Sequence, residues 1–189
     1  MLIKKTVIPE IIILYPEKYG DHRGFFSETF NSSKLQSLDI TMSFVQDNQS
    51  LSGNAQTLRG LHYQAPPFAQ DKLVRVTRGA ILDVAVDIRQ GSPTFGRHVA
   101  EVISAEKWNQ ILVPKGFAHG FITLESNTEV IYKVSNYYAP DHDFGIKWND
   151  PALGIEWNVS EDGVTISEKD KNQPLLSELE TPFKYKATK

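Results

Sequence analysis

The sequence predicts an all-β fold: a β-sandwich, a jelly roll or a small barrel. Three observations lead there. About ten short runs are rich in β-branched and aromatic residues, the side chains that fit a pleated surface. Glycine and proline punctuate nearly every boundary between those runs. Almost no window carries the 3.6-residue apolar period of a helix, which leaves strand packing to build the core.

Val7 to Tyr15 reads as a first strand, closed by Pro16. Lys18 to Gly24 is turn-rich, and Phe25 to Phe30 is a second strand. Asn31 can cap a short helix through about Leu38, weakened by Ser32, Ser33 and Ser37. Thr41 to Asp47 returns to strand, and Asn48 to Gln56 reads as a polar loop. Two central strands follow, Leu58–Gln64 and Lys72–Thr77, with a turn at Pro66-Pro67 between them. In Ala80–Ile88, alternation puts Leu82, Val84, Val86 and Ile88 on one face and Asp83 and Asp87 on the other. Those two carboxylates are expected to pair structurally with Arg75 or Lys72, while Arg78 and Arg89 read as surface charges flanking turns. Gln90 to Gly96 is a loop and His98 to Ile103 a strand. Asn109 to Val113 runs into Pro114-Lys115-Gly116, and Ala118–Leu124 with Glu129–Tyr138 looks like a hairpin pair. Asp141 to Gly145 turns the chain, Ile155-Glu156-Trp157 is a last short edge, and Pro174–Glu180 offers one or two helical turns. No repeat or low-complexity linker interrupts the pattern, so residues 1–189 are expected to form one domain.

Composition narrows the function classes. With 189 residues, 40% hydrophobic and 23% charged, the chain can bury a full core and is neither disordered nor membrane-like. A net charge of −3 gives no global attraction to nucleic acid or anionic membrane, so an anion site has to be a local basic cluster. The absence of cysteine excludes disulfides, thiolate ligands and a cysteine nucleophile. The apolar run Ile11–Leu14 is far too short to span a bilayer, and no signal-peptide cleavage pattern follows it. A cytoplasmic protein is the expectation.

One stretch stands apart: Thr57-Leu58-Arg59-Gly60-Leu61-His62-Tyr63-Gln64, followed by Gln70-Asp71-Lys72-Leu73-Val74-Arg75-Val76. Strand chemistry explains the leucines, valines and Tyr63, but not three kinds of basic group in so short a span. Such groups are expensive to desolvate in a half-buried strand unless they are paired or face an anionic ligand. Arg59 and His62 are three apart and would point to opposite sides of a flat strand. A bulge at Gly60 would reset the alternation and bring both to one cavity. His119 shares a face with Phe121 and Thr123, and Tyr132 with Val130 and Val134. If these strands line a barrel, His62, Lys72, His119 and Tyr132 converge on its interior.

Ordered blocks run along the chain: Arg23-Gly24-Phe25-Phe26, Phe44-Val45-Gln46-Asp47-Asn48, Leu58-Arg59-Gly60-Leu61-His62, Lys72-Leu73-Val74-Arg75 and Asp83-Val84-Ala85-Val86-Asp87. Gly91-Ser92-Pro93-Thr94-Phe95-Gly96, Pro114 to Phe121 and Tyr132-Lys133 extend them over nearly the whole chain. Together these blocks resemble the dTDP-4-dehydrorhamnose 3,5-epimerase family. The resemblance implies a cupin-type jelly roll, a homodimer exchanging N-terminal strands, and a tail from about residue 160 closing over the site. It implies a dTDP-linked 4-keto-6-deoxyhexose substrate inverted at C3 and C5, with no cofactor. Residue by residue, it makes His62 the base, Asp170 its carboxylate partner, Tyr132 the proton donor and Lys72 the cation at the C4 oxygen. His119 matches a sugar contact, and Arg23, Arg59 and Lys169 match nucleotide or diphosphate contacts. Gln46, Asp47, Asn48 and Glu28 match substrate-contacting positions, and Asp143 stands where the family has a glutamate. Phe26 and Tyr138 are the candidates for stacking on thymine.

The residue types suit that chemistry. A C–H beside a ketone is acidified through the enolate, and C3 and C5 both flank C4. A histidine base titrates near neutrality, a carboxylate on its other nitrogen fixes the tautomer, and one fixed donor at the oxyanion is often worth about 3 kcal/mol. Two alternatives remain: inversion at only one of the two carbons, and a metal-dependent cupin using His62 and His119. Against a metal, Gln64 occupies the place of a second histidine and Lys72 adds a nearby cation. A non-catalytic sugar-nucleotide binding module fits poorly with a complete set of acid, base and cation.

Overall fold

The computed structural model describes residues 1–186 and consists of short antiparallel strands with little helix. In chain order these are β1 (Leu2–Lys5), β2 (Ile12–Tyr15), the hairpin β3 (Lys18–Asp21) and β4 (Gly24–Ser27), and helix α1 (Ser32–Gln36). Then follow β5 (Gln46–Ser52), β6 (Leu58–Gln64), β7 (Lys72–Arg78), β8 (Ala80–Asp87), β9 (His98–Ser104) and β10 (Gln110–Val113). β11 (Phe117–Thr123), β12 (Thr128–Val134), β13 (Asp143–Gly145) and helix α2 (Glu168–Lys171) complete the list. One sheet runs β1-β2-β10-β7-β12-β5 and the other β13-β6-β11-β8-β9. Neighbours in space are seldom neighbours in sequence, the mark of a jelly roll.

Alternation decides what lies between the sheets. From the first sheet, Ile13, Val74, Val76, Ile111 and Val130 point inward; from the second come Ile81, Ala85, Phe117 and Phe121. The other face of the second sheet is also covered: Leu58, Leu61, Tyr63, Val84, Val86, Ala118 and Ile122 pack under Ile146, Trp148, Leu153, Trp157 and Phe183. Strand β11 is therefore buried at every position, which explains its near-continuous apolar sequence. The outer face of the first sheet is capped by Leu35 and Ile40, which close on Leu14, Leu73 and Leu112. As expected, the Asn31 side chain caps α1, accepting from the Lys34 amide at 3.1 Å.

Several sequence expectations are corrected. β11 and β12 do not form a hairpin: β11 pairs with β6 and β8, β12 with β5 and β7, so consecutive strands cross between sheets. The strand expected at Thr41–Asp47 lies at Gln46–Ser52, over the stretch read as a loop. β5 is an edge strand whose inward residues, Asn48 and Ser50, are polar and line recesses rather than core, so it lacks the apolar alternation that marks a strand. The strand expected at Val7–Tyr15 is confined to β2 at Ile12–Tyr15, and an unexpected strand, β1, precedes it, paired from Leu2↔Tyr15 to Lys5↔Ile12. The turn-rich segment before Phe25 is half of the β3–β4 hairpin. Ile155–Trp157 is not a strand; the Trp157 indole donates to the Trp148 carbonyl at 2.8 Å. Arg89 is no surface charge: it pairs with Asp87 and Glu10 and lies over Phe117 and Tyr185. Asp83 pairs with His119 rather than with Arg75 or Lys72.

Candidate active site

Strands of both sheets line a cavity of about 570 Å³. Arg59 and His62 reach it from β6, Lys72 from β7, His119 from β11, Tyr132 from β12, and Lys169 and Asp170 from α2. A second recess of about 310 Å³ shares His62, Lys72 and Tyr132 and continues to Gln46, Asn48, Tyr138 and Asp143.

The bulge expected in β6 is present. His62 lies opposite His119 and Arg59 opposite Phe121, so β6 spends one more residue than β11 over that interval. The same offset puts Leu58 and Leu61 together in the core behind. Gly60 takes φ +116°, and a Cβ there would sit 2.6 Å from the Gly120 Cα, so only glycine fits.

His62 Nε2 lies 2.7 Å from Asp170 Oδ1. Asp170 is buried, and Ser167 caps its short helix by accepting from the Asp170 amide at 3.1 Å. The Gly60 amide donates to the second carboxylate oxygen at 3.2 Å. Burial alone would raise Asp170, but the bonds from His62, Gly60 and Ser167 hold it below the usual carboxylate range. An ionised carboxylate only accepts, so Nε2 carries the hydrogen and Nδ1 is left with a lone pair. That is the arrangement of a general base.

Lys72 reaches inward beside Val74, and burial pulls it down to about 8, against the charges of Asp143 and Asp83. Tyr132 lies across the ladder from Val74 on one side and Asn48 on the other. Burial raises its phenol, opposed by the Arg59 charge and the Asn48 side chain. His62 and Tyr132 stand on opposite sheets facing one cavity. Arg59, exposed at the mouth, has no carboxylate partner among the described residues.

Asp143 Oδ2 accepts from Lys169 Nζ at 2.7 Å and from the Tyr138 hydroxyl at 3.2 Å. Gln46 accepts from the Tyr138 amide at 3.2 Å and donates to Asn48 at 2.8 Å. Buried Gln64, absent from the sequence-based candidates, donates to the Phe68 and Tyr137 carbonyls and accepts from the Ala139 amide. It thereby clamps the segment that presents Tyr138. A buried glutamine beside a candidate base was the signal available in the sequence. Asp47 alternates to the outer face, where it pairs with Lys133 at 2.8 Å.

With Asp47, three further candidates lie away from this cavity. Arg23 pairs with Asp21 on the β3–β4 hairpin, and Phe26 beside it is 68% exposed. Glu28 bonds Asn31 at 2.6 Å and also Lys34. Phe26 and Glu28 line a separate hollow with Phe30, Arg75 and Lys133 on the outer side of the first sheet.

A carboxylate-held imidazole, a phenol and a half-buried amine facing one void in a cupin-like jelly roll suit an isomerase that moves protons. Comparison with known proteins agrees. The family profile for dTDP-4-dehydrorhamnose 3,5-epimerase matches residues 5–178. The enzyme of that name from Sinorhizobium fredii is 49% identical over 185 residues, covering 98% of this chain and 94% of the relative. Its Escherichia coli counterpart is 48% identical over 180 residues, covering 95% and 96%. A crystal structure of dTDP-6-deoxy-D-glucose-3,5-epimerase from Legionella pneumophila, in complex with dTDP-4-keto-L-rhamnose, superposes with a TM-score of 0.93. It is 45% identical, covering 98% of this chain and 99% of that one. The chain belongs to the dTDP-4-dehydrorhamnose 3,5-epimerase family and is an isomerase of that type.

Proposed function

We propose that this chain inverts C3 and C5 of dTDP-4-dehydro-6-deoxy-D-glucose to give dTDP-4-dehydro-L-rhamnose. The observation that carries the reading is the His62–Asp170 pair facing Tyr132 across one cavity, with Lys72 lining the same wall as Tyr132. Nδ1 of His62 takes the proton from the carbon beside the ketone, and the electron pair moves onto the C4 oxygen as an enolate. The Lys72 ammonium stabilises that oxygen where charge develops. Tyr132 returns a proton to the opposite face of the same carbon. His62 then loses its proton to solvent and Tyr132 regains one, so the enzyme is restored and no electron acceptor is needed. The same groups serve the second carbon after the sugar shifts its presentation.

Arg59 and Lys169 hold the diphosphate, since guanidinium and ammonium groups at the mouth match its charge. Gln46 and Asn48 contact the nucleotide from β5, His119 the sugar, and Tyr138 is favoured over Phe26 to stack on thymine within the same chain. Asp143 acts mainly through its grip on Tyr138 and Lys169. Arg23, Phe26, Glu28 and Asp47 serve across a homodimer in which N-terminal strands are exchanged. Supporting that exchange, the hairpin stands away from its own cavity and leaves Phe25 and Phe26 exposed, with Leu2 and Val7 exposed nearby in sequence. We place the enzyme in the cytoplasm; no helix among the described residues is long and apolar enough to cross a membrane.

The test is turnover of the keto-sugar in D2O. Two deuterons per product, at C3 and C5, are expected from the wild type and none from His62→Ala, with the wild-type rate insensitive to chelators. No incorporation by the wild type would refute the reading. Product NMR with a single deuterated centre would reduce it to mono-epimerisation, and chelator sensitivity would favour a metal-dependent mechanism.

A further inference from the structure

The cavity holds a second imidazole bound to a second carboxylate. His119 Nε2 lies 2.9 Å from both oxygens of Asp83, whose side chain is completely buried. Asp83 points inward from β8 on the same face as the core residues Ile81 and Ala85. An apolar residue would cost far less there. The other buried carboxylate on that strand, Asp87, is saturated by Arg89, Ser92 and Thr94 and has an evident structural task. Asp83 has no hydrogen-bond partner among the described residues except His119, which lines the cavity. His119 is also the register partner of His62 across the β6–β11 ladder. Adjacent imidazoles are thus each gripped through Nε2, one by Asp170 from the tail and the other by Asp83 from the sheet.

We propose that Asp83 is a positioning residue for the epimerisation, fixing His119 as the Nε2–H tautomer so that Nδ1 is the ring atom offered to the sugar. This rests on the epimerase reading above and adds a residue to its machinery. A carboxylate can only accept, so Nε2 must hold the hydrogen and the ring cannot rotate its tautomer freely. Asp83 has a second effect through its field. Lys72 is faced by Asp83 from β8, Asp143 from β13, His62 and Arg59 from β6, His119 from β11, Tyr132 from β12 and Lys169 and Asp170 from α2. Of these, the Asp143 and Asp83 carboxylates support its positive charge against burial. Removing the Asp83 charge therefore makes Lys72 lose its proton at lower pH.

The experiment uses the full-length protein and compares wild type with Asp83→Asn, which keeps the shape. Expected for D83N is a kcat lower by about 10- to 100-fold with KM changed less than about threefold, the pattern of a lost orienting partner. The alkaline limb of its kcat–pH profile moves to lower pH, which a merely structural role would not produce. A wild-type kcat and an unmoved alkaline limb in D83N would overturn the proposal. Should D83N fail to fold, 15N NMR of the wild-type imidazoles decides the matter, with the His119 signals assigned by their absence in His119→Gln. A single Nε2–H tautomer is expected, and an Nδ1–H tautomer would overturn it. Absence of exchange in the wild type would end the epimerase reading separately, leaving the tautomer measurement intact.

Discussion

An ammonium group set among Val74, Phe121 and Tyr132 has to be held against its own solvation, and Lys72 shows the result in its displacement to about 8. The sign follows from linkage. Below about pH 8 the folded and unfolded chains both carry the proton and the burial cost is fully present. Between there and the ordinary lysine value the folded state has released it and the cost fades. Lys72→Met should therefore raise the melting midpoint at pH 7 by about 2–4 °C, equivalent to ~1 kcal/mol for a chain of this size. That gain should shrink on titration through pH 8 to 10, while exchange activity is lost at every pH. Calorimetry against pH checks it; a lower midpoint for the variant at pH 7 would contradict it. At this scale His62, Lys72 and Tyr132 were legible because a basic group or phenol in an apolar strand pattern is conspicuous. Asp170 was not, outside the family resemblance. Glu168-Lys169-Asp170-Lys171 looks like a solvated run, and its burial depends on the Gly60 amide 110 positions away. Asp83 was visible but misread, since alternation gave its face and not the partner waiting there.

Strand β6 owes its service to one glycine. A side chain at position 60 would press on the Gly120 Cα at 2.6 Å and the His119 carbonyl at 2.8 Å, in a backbone conformation side chains rarely adopt. Gly60→Ala should destabilise the fold by about 2–4 kcal/mol, from left-handed strain and overpacking together. It should also loosen the Asp170 grip by displacing the amide that donates to it. Gly53→Ala, with nothing within 4 Å and an ordinary φ, is the control and should stay within about 0.5 kcal/mol. Denaturant midpoints of the two variants test the difference, and equal midpoints would show that the bulge tolerates a side chain. The bulge was readable from a glycine between two residues wanted on one side. The crossing of β11 and β12 was not, because short connections default to hairpins and only the completed sheets decide otherwise.

For the whole molecule, the proposed exchange carries the β3–β4 hairpin to the partner's cavity. If it crosses to a partner, each site combines His62 of one protomer with Arg23 of the other. Arg23→Ala and His62→Ala should then both be nearly inactive alone. Mixed in equal amounts and allowed to exchange, half the dimers carry one intact site, so about a quarter of wild-type activity should return. No recovery, with exchange of protomers verified, would assign the hairpin to its own chain. Composition and punctuation were enough to place the fold in the all-β class, since about ten short strands with so little helix admit few other architectures. The order of strands in the sheets was beyond them, being a property of long-range pairing.

His62 and Tyr132, the proposed proton acceptor and donor, hang on different sheets, so their separation follows the thickness of the sandwich. That thickness is gauged by the interdigitated layer of Val74, Ile111, Phe117 and Val130. Each of those side chains is a shim beneath the chemistry, and exchanging one for a bulkier or slimmer neighbour would alter the gap a sugar ring must bridge without touching a reacting atom.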